Sequence, residues 1–70
     1  MEDVRLRFGK GVRKRRQKIG VSQEEFADMC GLDRTYIGGS ERGERNVGLV
    51  NVEKIAKAFR ISVSELFRDL

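Results

Sequence analysis

The sequence predicts an all-α fold, a compact bundle of five short helices in one domain. Three observations lead there. The chain holds no proline. Its apolar residues recur three and four apart, with no strand-like alternation of any length. Cap residues stand in front of the periodic segments and glycines behind several of them. A chain of 70 residues buries only about 60% of its unfolded surface. The usual staples of small domains are missing: the single cysteine, Cys30, cannot form an internal disulfide, and without histidine no zinc set can be assembled. Support is therefore expected from helix packing and from oligomerisation.

Each element follows from local signals. In the first helix Phe8, Val12 and Ile19 fall on one stripe, and "IG" at 19–20 closes it. "SQEE" is a capping box, with Ser22 and Glu25 opening a second helix at about 22–30. Phe26, Ala27 and Cys30 line its inner face, and Gly31 ends it. Leu32 and Ile37 flank Asp33 in the spacing of a hydrophobic staple, so Asp33 caps a third helix over about 33–42. After "GERNVG", a fourth stripe carries Leu49, Val52, Ile55, Ala56 and Phe59. "SVSE" at 62–65 is a second capping box, opening a last helix with Leu66, Phe67 and Leu70.

Net charge is +4, unevenly spread. Residues 1–20 carry +6, residues 21–33 carry −4, and the remainder is nearly balanced. Such a layout suits a negative partner on certain faces only, although solubilising surface charge accounts for it equally well.

Two charges stand on inward faces. Arg16 lies between Val12 and Ile19 on the first stripe, and Glu41 lies one turn beyond Ile37. A lone charge there is costly to bury, but an Arg16–Glu41 salt bridge between the first and third helices offsets the cost and fixes orientation. The alternative is that both side chains snorkel to solvent.

With Ile37 and Glu41 inward, Arg34, Thr35, Gly38, Gly39 and Arg42 are expected toward the outer face of the third helix. Each interior glycine costs a helix about 1 kcal/mol relative to alanine, so the Gly38–Gly39 pair needs a reason. One reason is close approach of a bulky partner. A DNA major groove, about 12 Å wide, admits one helix whose N-terminal residues touch base edges. Arg34 suits a bidentate pair with guanine, and Thr35 suits a thymine methyl or a base edge. The other reason is close packing against another helix.

"SQEEFADMCGLDRTYIGGSERGERN" resembles the helix-turn-helix of the Cro and repressor family, a lambda repressor-like DNA-binding domain. More closely, "LDRTY" and "ERGERN" are similar to the controller proteins of restriction–modification systems, over about residues 6–68. The resemblance implies a dimeric transcription regulator that binds a pseudo-palindromic double-stranded DNA operator at its own promoter. It implies base reading by Arg34, Thr35, Tyr36 and Gly38, and phosphate contacts by Gln23, Arg45 and Asn46. It also implies the Arg16–Glu41 pair, and a dimer interface over about 49–70 that includes Leu49, Val52 and Phe67. RNA polymerase is a further candidate partner. Ser40 departs from the family, which has an apolar residue there, and a less firmly anchored third helix is expected.

No catalytic constellation can be assembled. There is no histidine to act as a base, and Cys30 is on an inner face. "FGKG" at 8–11 has neither a preceding strand nor a full phosphate-binding motif. Neither enzymatic activity nor a cofactor, metal or small-molecule ligand is expected. The N-terminus has no long apolar core, and no apolar run approaches the roughly 20 residues of a membrane span. A cytoplasmic location is expected. Two alternatives stay open: a phage-type or antitoxin-like repressor of the same fold, and a protein-interaction module that keeps the fold without DNA binding.

Overall fold

A computed structural model describes residues 3–68 of the chain. Its helices are α1 (Val4–Lys18), α2 (Gln23–Cys30), α3 (Arg34–Glu41), α4 (Leu49–Ala58) and α5 (Val63–Leu66), and there is no strand among the described residues. Phe26, Ile37, Ile55 and Val12 are fully buried at the centre, with Phe8, Ala27, Cys30, Val52, Ala56 and Leu66 around them. Phe59 stacks on Phe26 at 4.4 Å between ring centroids, and Phe67 stacks on Phe8 at 5.3 Å.

The helices start where local chemistry satisfies their first amide groups. Asp3 accepts from the Arg5 amide at 2.7 Å, and Ser22 and Glu25 exchange both bonds of the capping box. Asp33 accepts from the Thr35 amide at 2.7 Å. Ser62 accepts from the Glu65 amide at 3.0 Å, making its half of the second box. The exits of α1 to α4 are left-handed. Gly20, Gly31 and Gly43 have φ of +76, +70 and +75°, and Arg60 follows α4 at +59°.

Several expectations need correction. Ile19 is 48% exposed, because α1 ends at Lys18 and the chain turns away at Gly20. The inner stripe of α1 is completed instead by Gly9 and Arg16. Leu49 is 87% exposed, so the α4 stripe that enters the core is Val52, Ile55 and Ala56. Val52, at 5%, is occupied within the monomer and offers almost no surface to a second subunit. The last helix is a single turn, and Leu70 lies outside the described residues. Ser40 is 1% exposed, but its hydroxyl donates to the Tyr36 carbonyl at 2.8 Å, so its polar group enters the core already satisfied.

The α1–α3 crossing positions everything that follows. At Gly9 the two backbones come so close that a Cβ would run into the Ser40 carbonyl oxygen and stand 2.6 Å from that of Glu41. "FGKG" is thus a helix-crossing signal. A glycine seven residues before Arg16, on the same helical face, is the pattern that marks it.

Candidate nucleic-acid interface

Arg16 and Glu41 set the orientation of α3. Arg16 Nε donates to Glu41 Oε2 at 2.6 Å and Nη2 donates to Oε1 at 3.1 Å, a two-point fork with side chains only 11% and 2% exposed. Arg16 Nη1 also donates to the Val21 carbonyl at 2.9 Å. Gln23 Nε2 donates to Glu41 Oε1 at 3.0 Å. One carboxylate therefore joins α1, the turn before α2, and the first residue of α2 to the end of α3. The Gln23 side chain, a candidate phosphate contact, faces Glu41 in this arrangement.

From this fixed base, α3 presents its N-terminal end. Arg34 and Thr35 are exposed at its first two positions, and Tyr36 is half-buried. Arg45 and Asn46 are exposed just beyond α3. The Arg45 guanidinium stands 4.7 Å above the centroid of the Tyr36 ring, a cation–π pair that puts helix and loop on one surface. Arg42 Nε donates to Glu44 Oε2 at 3.0 Å. That bond holds the Glu44 carboxyl below its ordinary range.

Gly38 and Gly39 are buried rather than bare. Long polar side chains roof them. A Cβ on Gly38 would meet Arg42 Nη1 at 3.2 Å and Gln23 Oε1 at 3.5 Å, and one on Gly39 would meet Arg45 Nε at 2.8 Å. Gly38 is thus a floor beneath Arg42 and not an open backbone facing a base. Spacing alone predicts the glycines on the outer face; both are buried, because arginines from later in the chain fold back over them.

In α4, α5 and the residue after α5, Leu49 (87%), Val50 (69%), Val63 (40%) and Phe67 (37%) are exposed apolar side chains, as are Val4, Leu6, Ile19 and Met29 elsewhere. Cys30 is a core residue, and burial pushes its thiol up to about 11, so it stays protonated at neutral pH. No group of three His, Cys, Asp or Glu side chains among the described residues could hold a metal ion. No described helix is long and apolar enough to cross a membrane.

The profile of the helix-turn-helix family matches residues 12–66. Control protein C.MunI of Mycoplasma sp is 49% identical over 100% of this chain and 96% of its own length. Among solved structures, the restriction-modification controller protein C.AhdI from Aeromonas hydrophila is 50% identical, with a TM-score of 0.88 over 91% of this chain and 97% of its own. The controller C.Esp1396I, solved as a tetramer with its natural 35 base-pair operator, is 32% identical with a TM-score of 0.88, covering 99% of this chain and 91% of its own.

Proposed function

Because the chain belongs to the helix-turn-helix family, we propose that it is a cytoplasmic transcription regulator which binds double-stranded DNA sequence-specifically, as a homodimer on a pseudo-palindromic operator. It acts as the controller of a restriction–modification system at its own promoter, with RNA polymerase as the machinery it influences there. The observation that carries this reading is α3, held by the buried Arg16–Glu41 fork with Arg34 and Thr35 exposed at its N-terminal end.

Arg34, Thr35 and Tyr36 read base edges in the major groove. Arg45, Asn46 and the N-terminal end of α2 at Gln23 grip phosphates on either side. The exposed apolar residues Leu49, Val50, Val63 and Phe67 support pairing of two copies through α4 and α5. The two recognition helices then read half-sites about one helical turn, roughly 10 base pairs, apart. A phage-type or antitoxin-like repressor would use the same surface. The similarity to control proteins across nearly the whole chain favours the controller.

The test is a fluorescence-anisotropy titration on the duplex immediately upstream of this protein's own gene, against a shuffled duplex at near-physiological salt. The expected result is a Kd of about 10 nM or tighter on the upstream duplex, with strong preference over the shuffled one. Weak, equal binding to both would overturn the proposal.

A further inference from the structure

Gly39 is buried in the middle of a short helix, yet what covers it is Arg45. A Cβ at this position would lie 2.8 Å from Arg45 Nε, 3.3 Å from Cγ and 3.4 Å from Cδ, so the stem of the arginine lies flat across the bare Cα. The guanidinium beyond that stem is the one over the Tyr36 ring. The backbone delivers Arg45 to this place. The Glu44 amide donates to the Gly39 carbonyl at 2.9 Å and the Gly43 amide to the Ser40 carbonyl at 3.1 Å, with Gly43 left-handed between them. This double closure at a helix end fixes the direction in which the next residue leaves. Gly39 therefore touches Arg45 twice over: its carbonyl anchors the turn that presents the arginine, and its missing side chain makes the seat.

We propose that Gly39 is a positioning residue for DNA binding. It lays Arg45 along α3 and against Tyr36, so that the cation meets the phosphate backbone already oriented. An unseated arginine would lose its rotamer freedom only on binding, and that loss would weaken the complex. The proposal rests on the DNA-binding reading above.

Gly39→Ala tests it. The added methyl strikes the far part of a flexible side chain rather than backbone, so the fold accommodates it by releasing Arg45. Alanine is also the better helix former, and the Tm stays level or rises by on the order of 4 °C. On the duplex that the wild type selects, affinity falls by about 2- to 10-fold. The salt slope stays at the wild-type value, because the freed arginine still reaches its phosphate, whereas Arg45→Ala lowers it by about one phosphate. The Gly39→Ala/Arg45→Ala double variant binds no more weakly than Arg45→Ala alone, because both changes act through one contact.

A readout without DNA accompanies these. Tyr36 is the only tyrosine, so nuclear Overhauser contacts between its ring protons and the Arg45 δ-methylene, with the accompanying shifts of that methylene, report the seat directly. The shifts are present in the wild type and collapse in Gly39→Ala. Wild-type affinity in Gly39→Ala, independent losses in the double variant, or unchanged Arg45 shifts would each overturn the proposal. If the wild type selects no DNA at all, the DNA-binding reading fails first and takes this role of Gly39 with it.

Discussion

Gly9→Ala separates close backbone approach from ordinary helix propensity. In an unconstrained helix this change stabilises by about 1 kcal/mol. Here the new Cβ would collide with the Ser40 carbonyl and stand 2.6 Å from the Glu41 carbonyl oxygen and 2.8 Å from its carbon. These are backbone atoms of α3, so relief requires α1 and α3 to move apart. Forced shifts of this kind cost about 1–3 kcal/mol or more, and the movement also stretches the Arg16–Glu41 fork. Taking about 3 kcal/mol against the gain of about 1 leaves a net loss of about 2 kcal/mol. For a domain of this size that is a fall in Tm of about 10 °C. Thermal unfolding by circular dichroism measures it. Gly20→Ala is the control, since Gly20 has a left-handed φ of +76° but nothing within 4 Å of a Cβ, and pays only backbone strain. A Gly9→Ala protein as stable as wild type would refute the close crossing.

Other perturbations probe separate parts of the structure. Glu41→Ala leaves a nearly buried arginine cation and a Gln23 amide without their acceptor, and should cost about 3–5 kcal/mol in urea unfolding; a loss under 1 kcal/mol would mean that the fork contributes little. Arg34→Ala should weaken operator binding by about 1–3 kcal/mol and relax one position of the site, checked by titrating single-base variants; equal losses on every sequence would contradict base reading. Arg60→Gly relieves a left-handed φ of +59° on a non-glycine residue at the exit of α4, and should raise stability by about 0.5–1 kcal/mol in the same unfolding assay. Finally, three carboxyls are held below their ordinary values: Asp3 to about 2 by its bond from the Arg5 side chain, Glu25 by the Ser22 amide, and Glu44 by the Arg42 guanidinium. The folded state thus binds fewer protons than the unfolded one. Their contribution is complete above the unfolded value of about 4 and is lost as pH falls toward 2. Tm should drop between pH 6 and pH 3, and an unchanged Tm would remove these groups from the account.

What the sequence determined by itself is what depends on neighbours along the chain. Ser22, Asp33 and Ser62 each bond an amide two or three residues on, so the starts of α2, α3 and α5 were legible from spacing alone. The inward faces of α2 and α3 followed from helical periodicity. The Arg16–Glu41 pair was legible for a related reason: two opposite charges on two apolar stripes can offset their burial by meeting, and the fold decided this against snorkelling to solvent. The resemblance carried by "LDRTY" and "ERGERN" pointed to the family that the whole-chain similarity then showed.

The tertiary structure decided what depends on residues distant in the chain or on where a helix ends. Ile19 continued the apolar period, but α1 stops one residue before it. Val52 and Leu49 share a stripe, yet only the three-dimensional packing buries one and exposes the other. Arg60 carries no local mark of its left-handed turn, because arginine does not favour that region. The glycines show the limit most clearly. Gly9, Gly38 and Gly39 all lower helix propensity, and propensity cannot say why they are there. The answers are the α3 backbone for Gly9, Arg42 and Gln23 for Gly38, and Arg45 for Gly39. In each case the space left by a missing side chain is filled by atoms that only the folded chain brings to it.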